Sequence, residues 1–462
     1  MPISHPTVTG PITGGAKGWP FAGLSVPLAE HGYEEHEYFI EGEATHYDLA
    51  AGRTYSRDGR WEAEATGTAP YRTRIVVYRP TDPTRFNGNV VVTWNNVSVG
   101  FELLTVFRSG ALELMDSGAA LVAVSAQRVG IEGLPGTNQG LLAWDPERYG
   151  TLSIPSDDLS FDIFTQAAAA VGPDRSEDPV DPMDGLEVQA VIAHGSSQSA
   201  GRLATYINAV HPLTPVFHGF YLGLYFANGY PLHVGDYVAN VGATTLADVE
   251  ATLGVHYLRE LDVPVMVVNS EAEAPYYGKV RQPDTATYRY WETAGSAHSS
   301  LPVTQERLAT IERDGVVAPP PESGVNGIHL GPVFAAALGH LQRWVRDGVV
   351  PPTRPLIDLA GDPPRVVRDA LGIARGGIRL PQVEVPTAAN SAVPVSEKDI
   401  WAFLRGSCRP LSAGQLIEMY GDRDGYLARF RQATDEAVAA GVLLDRDVAA
   451  LLAEAERSWP GG

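Results

Sequence analysis

A mainly parallel α/β sheet flanked by helices is the fold class this sequence predicts, with a strand-rich N-terminal extension and a helical C-terminal region. Three observations carry it. Short, nearly continuous apolar runs recur as NVVVTW (89–94), ALVAVSAQ (120–127), VQAVIAH (188–194) and VPVMVVN (263–269), a composition suited to strands covered on both faces. Segments with helical spacing separate them, at 101–116 and 162–171, as parallel crossovers require. With 44% hydrophobic residues in 462 positions, the chain can also bury a large core and still carry appended segments.

In chain order, residues 1–69 read as the extension: YEEHEYFIEGEATHYDL alternates aromatic and polar positions between glycines. YRTRIVVY (71–78) opens the core, expected over 70–350, and VFHGFYL (216–222) and TYRYWETA (287–294) complete its strands. Residues 223–263 exceed a minimal connection, so they are expected to cover the site in part, with Tyr225, Phe226, Tyr230 and Tyr237 as apolar contributors. From 351 a Pro/Gly-rich connection, VVPPTRPL through GIARGGIRLP, leads to helices in KDIWAFLRGS, SAGQLIEMYG, DGYLARFRQATDEAVAAGVL and DVAALLAEAERSW. Gly376 and Gly377 read as backbone turns there and Arg379 as an ion-pair partner.

Charge and cysteine content narrow the function. Lys and Arg number 34 against 55 Asp and Glu, a net charge of −21 with no basic arm, which argues against nucleic acid as a partner. Cys408 is the single cysteine, so no intramolecular disulfide or Cys-rich zinc site is possible. No apolar stretch approaches membrane-span length and the first residues lack a signal-peptide pattern, so a cytoplasmic protein with no membrane partner is expected. H-E-x-x-H, the Walker A loop and a post-strand G-x-G-x-x-G are all missing, so neither metal nor cofactor is expected.

The chemistry concentrates in AVIAHGSSQSAGRLATYINAV (190–210), where an apolar strand meets a tight turn and a helix. A serine there is either a helix cap or a nucleophile exposed by a strained elbow. Ser197 follows Gly195 at the predicted turn; Ser199, which stands where a G-x-S-x-G elbow would have its last glycine, is the alternative nucleophile and should already lie in the helix. A serine hydroxyl needs an imidazole base oriented by a carboxylate, and hydrolases of this architecture place them in the order Ser, acid, His. NSEAEA puts Glu271 and Glu273 just beyond a buried strand, and WETAGSAHSS puts His298 after the next. His194 adjoins the elbow, but its side chain should diverge from that of Ser197. Residue spacing leaves the two glutamates unranked. The oxyanion of an acyl intermediate needs amide donors, expected from Gln198 and from Asn96 or Val97 in the loop TWNNVSVGFE.

These stretches, with TRIVVYRPTDPTRFNGNVVVTWNNVSVG, WDPERYGTL, HGSSQSAGRLATYINAVHP, YRYWETAGSAH and RGGIRLPQVEVP, resemble the α/β-hydrolase superfamily, and within it the large bacterial serine-hydrolase group with an S-Q-S elbow. The resemblance spans about 30 to 450. It implies Ser197 as nucleophile, His298 as base and Glu271, somewhat favoured over Glu273, as the acid. It also implies carboxylic ester hydrolysis through an acyl-enzyme. NNVSVG stands where the group more usually has LNVSGG, a departure expected to keep the loop's backbone donors and to reshape the acyl pocket. Acyl transfer or amide or lactone hydrolysis would use the same triad, and a non-catalytic binding protein would need its members held apart. Together with Trp401 and Phe403 of the tail, the aromatic insertion predicts a partly covered apolar pocket. Small or medium-sized, uncharged or aromatic esters are then expected over long-chain lipids and charged acids.

Overall fold

The computed structural model describes residues 1–134, 139–176, 179–233, 253–316, 323–394 and 402–460. Tyr237, Trp401 and the first part of the expected helix at 398–407 lie outside these residues.

A nine-stranded sheet organises the chain: β1 (Thr7–Thr9), β2 (Tyr33–Leu49), β3 (Ala63–Pro80), β4 (Asn89–Trp94), β5 (Ala120–Val124), β6 (Ala190–Ser196), β7 (Gly219–Gly223), β8 (Val265–Ser270) and β9 (Tyr288–Thr293), in the spatial order β1-β2-β3-β5-β4-β6-β7-β8-β9. Pairing is parallel from β5 to β9. It is antiparallel among β1, β2, β3 and β5. The N-terminal strands are therefore an arm of the same sheet, and β3 runs across position 69 without a break. Its apolar half, Ile75–Tyr78, pairs with β5, while its polar half continues the long hairpin with β2.

The apolar runs behave as strands covered on both faces. Along β4, Val90, Val92 and Trp94 enter one core and Val91 the other. Along β5, Ala120, Val122 and Val124 oppose Leu121 and Ala123 in the same way. This is the period-two alternation of a pleated strand with both sides occupied. Helices α1 (Arg108–Ser117), α2 (Ser160–Val171), α3 (Gln198–Thr205), α4 (Leu301–Arg313) and α5 (Gly331–Asp347) flank the sheet. Every residue of α2 is buried, and its Phe164 packs on Trp94. On the opposite face, Ala111 and Leu114 of α1 share a core with Phe334, Leu338 and Leu341 of α5.

The C-terminal helices α6 (Ala413–Tyr420), α7 (Arg423–Ala439) and α8 (Asp445–Ser458) join that second core through Tyr420, Tyr426, Phe430 and Leu451. A short antiparallel pair, Ala388–Ser391 with Ser407–Pro410, ties the preceding connection together. Gly376 and Gly377 adopt positive φ (71° and 69°), and Arg379 pairs with Glu384 at 2.6 Å. None of the described helices is long and apolar enough to cross a membrane.

The order β5-β4-β6 fixes where a ligand site can form. From β4 the chain turns to β5 on one side and later returns to β6 on the other, so the connections leaving β4 and β6 part from each other. Such a switch point opens a crevice at the carboxyl ends of the strands. The loop 95–103 and Ser197 both emerge there.

Candidate active site

Ser197 stands between β6 and α3 with φ 60° and ψ −121°, a backbone conformation costly for any residue with a Cβ. Neighbouring contacts hold it there: its N–H donates to Gly223 O (2.9 Å) and its carbonyl accepts from Gly201 N–H (3.1 Å). Gly195 is required by space, because a Cβ at that position would come within 2.7 Å of the Ser199 carbonyl oxygen. Ser199 itself is not a free hydroxyl. Its Oγ donates to Ser196 O (2.9 Å) and accepts from Ser196 N–H (3.0 Å), closing the turn from within.

The Ser197 hydroxyl lies 2.9 Å from His298 Nε2, and His298 Nδ1 lies 2.6 Å from Glu273 Oε1. A carboxylate at Nδ1 keeps the proton on that nitrogen, which leaves Nε2 as the acceptor facing the hydroxyl. Glu273 is fully buried, and its second oxygen accepts from both the N–H (2.8 Å) and Oγ–H (2.6 Å) of Ser270 at the end of β8. The Phe226 ring stacks against the imidazole, with centroids 5.2 Å apart and an interplanar angle of 22°.

Glu271, the favoured acid of the sequence, does not reach His298. Its carboxylate accepts from Arg368 (2.5 Å), from the N–H of Ala392 (3.0 Å) and, through the other oxygen, from the N–H of Gly295 (2.9 Å). The physical reason is the turn after β8: Glu273 folds back onto Ser270 beneath the histidine, whereas Glu271 points towards the C-terminal connection. It is thus a clamp between that connection and the loop carrying His298.

The expected oxyanion donors divide as well. Asn96 N–H is already committed to Leu103 O at 3.0 Å, so that amide is not available. Its side chain instead joins the loop to the elbow, Nδ2 donating to Ser196 O (3.1 Å) while Oδ1 accepts from Ser98 N–H (2.8 Å). Val97 N–H and Gln198 N–H have no partner among the described residues. Further back, Asn95 Nδ2 donates to Glu102 (3.2 Å), whose carboxylate is held by buried Arg74 at 2.7 Å. The loop 95–103 therefore rests on a buried ion pair.

His194 faces elsewhere: it bonds Thr93 Oγ1 at 2.8 Å and stacks on Tyr221. Burial pushes its pKa down to about 3, so it stays neutral in the folded protein. Of the insertion's aromatics, Tyr225 is buried in the core and Tyr230 packs over Arg202. Phe226, with Phe403 6.2 Å away and Tyr276 at 5.3 Å, lines the histidine side of the site. The backbone here is unusual too: Leu224 and Ala227 have positive φ (52° and 65°), and Asn269 pins Tyr225 N–H at 2.7 Å. Sequence reasoning misses the partnerships of Asn269, Asn96 and Arg368, since each joins residues far apart in the chain and no spacing signals them. Among the described residues, no group of three or more His, Cys, Asp or Glu side chains is arranged to hold a metal ion.

The chain belongs to the alpha/beta hydrolase domain family, whose family model matches residues 8–453. No curated protein matches it in sequence. Among solved structures it is similar to the esterase Est22, at 13% identity over 68% of this chain and 77% of that one with a TM-score of 0.28. It is also similar to a fungal esterase from Rhizomucor miehei, at 11% identity over 66% of this chain and 82% of that one with a TM-score of 0.29. A prolyl endopeptidase shares 12% identity over 58% of this chain, with a TM-score of 0.28, and the match covers only 36% of the endopeptidase.

Proposed function

We propose that this protein is a serine-dependent carboxylic ester hydrolase in which Ser197 is the nucleophile, His298 the general base and acid, and Glu273 the carboxylate that orients the imidazole. The single observation that carries this reading is the continuous relay from Ser197 Oγ to His298 Nε2 (2.9 Å) and from His298 Nδ1 to Glu273 (2.6 Å), built at a strained strand-to-helix turn. Ser197 Oγ attacks the ester carbonyl as its proton passes to Nε2. The developing oxyanion is received by the amides of Val97 and Gln198, which have no other partner among the described residues. Collapse of the tetrahedral intermediate transfers the Nε2 proton to the leaving alcohol, and water then cleaves the acyl-enzyme by the same sequence.

Next to the reacting atoms the surroundings are apolar and aromatic, with Phe226 stacked on the imidazole and Phe403 beside it. This supports a small or medium-sized, uncharged or aromatic group at the scissile end. Acyl transfer would use the same residues and differ only in the nucleophile that resolves the acyl-enzyme. Wild type and Ser197→Ala are treated with a fluorophosphonate probe, then assayed on 4-nitrophenyl butyrate with and without excess alcohol. The reading expects one label, on Ser197, and acid as the product in both conditions. Labelling elsewhere overturns the nucleophile assignment, and quantitative transfer to the alcohol overturns hydrolysis.

A further inference from the structure

Beside the loop that carries Val97 lies a cleft, open to solvent, between residues 21–26, residues 101–108 and the face of α4 bearing 306, 307, 310 and 311. Its walls are mainly apolar, with Leu24, Phe101, Leu104, Val106 and Phe107 prominent. Charged side chains also reach it, and they are unevenly paired. Glu102 is held by Arg74 at 2.7 Å, Asp314 by Arg313 at 2.8 Å, and Glu306 by His329 at 3.0 Å. Arg108 and Arg307, in contrast, have no ion-pair or hydrogen-bond partner among the described residues.

Arg307 is the more telling of the two because it is partly buried. Burial holds its guanidinium below the ordinary arginine range, with only the charge of its neighbour Glu306 acting the other way. Its Cζ lies over the Phe107 ring, 5.7 Å from the ring centroid. A ring occupies one face of a guanidinium and leaves the in-plane N–H fork open, the geometry that accepts a carboxylate with two parallel bonds. In a chain of net charge −21, Arg307 and Arg108 are cations placed on the wall of this cleft. The overall charge points away from anionic substrates, but it averages over the whole surface and says nothing about one cleft.

Both walls of the cleft lead from the candidate active site. Leu103 exchanges backbone hydrogen bonds with Asn96 (3.0 and 2.8 Å), so one wall is the return limb of the oxyanion loop. Helix α4 begins at Leu301, just after His298, and Arg307 lies about 9 Å further along its axis at 1.5 Å per residue. We propose that this cleft is a carboxylate-binding subsite, and that preferred substrates are esters bearing a free carboxylate at the end remote from the scissile bond, bound by Arg307 with Arg108. The proposal rests on the ester-hydrolase reading for the identity of the reaction, and on the paired and unpaired charges of the cleft for the carboxylate.

The test compares 4-nitrophenyl monoesters of succinate, adipate and suberate with neutral 4-nitrophenyl hexanoate, in the wild type, Arg307→Gln and Arg307→Lys. The adipate and suberate monoesters are expected to exceed the succinate monoester in kcat/KM. In Arg307→Gln the ratio of kcat/KM for the adipate monoester to that for the hexanoate ester should fall about tenfold to a hundredfold, the range for losing a charge-assisted pair, with partial recovery in Arg307→Lys. Calorimetric titration of wild type and Arg307→Gln with free adipate reads the site without turnover. Binding weakened at least tenfold by Arg307→Gln supports the subsite even if neither ester is hydrolysed, an outcome that would fail the hydrolase reading alone. An unchanged kcat/KM ratio overturns the subsite, and so does adipate binding that is absent or insensitive to Arg307→Gln.

Discussion

Exchanging the two glutamates after β8 for glutamine, one at a time, should produce opposite phenotypes. Glu273→Gln keeps the shape of the side chain but replaces the carboxylate 2.6 Å from His298 Nδ1 with a neutral amide. An amide oxygen can still accept from Nδ1–H, yet it cannot balance the imidazolium formed during attack. If the amide nitrogen turns inward, the imidazole adopts the tautomer with its proton on Nε2, which cannot accept from Ser197. Such a loss is worth roughly 10⁴-fold in kcat in triads of this type. Glu271→Gln leaves that relay untouched and weakens the clamp to Arg368 (2.5 Å) and Gly295 N–H (2.9 Å). Removing one member of a buried pair costs about 3–5 kcal/mol when both are dry, but Arg368 keeps 24% side-chain exposure, so about 1–3 kcal/mol is the expected scale. The assay is kcat on 4-nitrophenyl butyrate alongside urea unfolding monitored by tryptophan fluorescence. Glu273→Gln should lose kcat with its unfolding midpoint nearly intact, and Glu271→Gln should lose stability with kcat within about tenfold. A kcat deficit larger in Glu271→Gln than in Glu273→Gln, in a folded protein, would refute the assignment of the acid.

The remaining predictions concern the elbow, the loop and pH. Ser199→Ala removes two hydrogen bonds to Ser196 and should lower stability by about 1–2 kcal/mol while fluorophosphonate labelling of Ser197 persists; loss of the label in a protein that still unfolds cooperatively would show that Ser199 does more than close the turn. Asn96→Ala frees the oxyanion loop from the elbow and should lower kcat by about tenfold to a hundredfold with little change in KM, and a change confined to KM would contradict its positioning role. His194 has a folded pKa of about 3 against an unfolded value of 6.5, so the unfolded chain binds the extra proton and stability falls as pH drops between those values. Urea unfolding at pH 7.5 and pH 5 should therefore show an acid-side loss to which His194 contributes on the order of 2 kcal/mol beside buried His211 and His256, so that the loss shrinks by about that amount in His194→Gln; an equal loss in both proteins would mean that His194 does not carry its share.

Much of the scaffold is legible in the chain because its signals are local. NVVVTW and ALVAV are short, β-branched-rich apolar runs suited to a strand covered on both faces, and GSSQS follows such a strand at once. The glutamates show the limit. Two residues apart in NSEAEA, they share composition and neighbourhood, and only the fold of one turn separates their partners. Asn96 shows it again: its identity suggested an amide donor, but whether its N–H is free depends on Leu103 closing the loop behind it.

By itself the sequence determined the alternation of strands and helices, the elbow position and the histidine that follows β9, because hydrophobic periodicity and small-residue turns are written along the chain over a few residues. The tertiary structure alone decided that the N-terminal hairpin belongs to the same sheet, that Glu273 meets His298 while Glu271 meets Arg368, and that Arg307 lies in a cleft with no ion-pair or hydrogen-bond partner among the described residues. Those outcomes turn on which distant groups reach each other at hydrogen-bond distance, and a difference of a few ångströms there changes the partner without changing any local pattern.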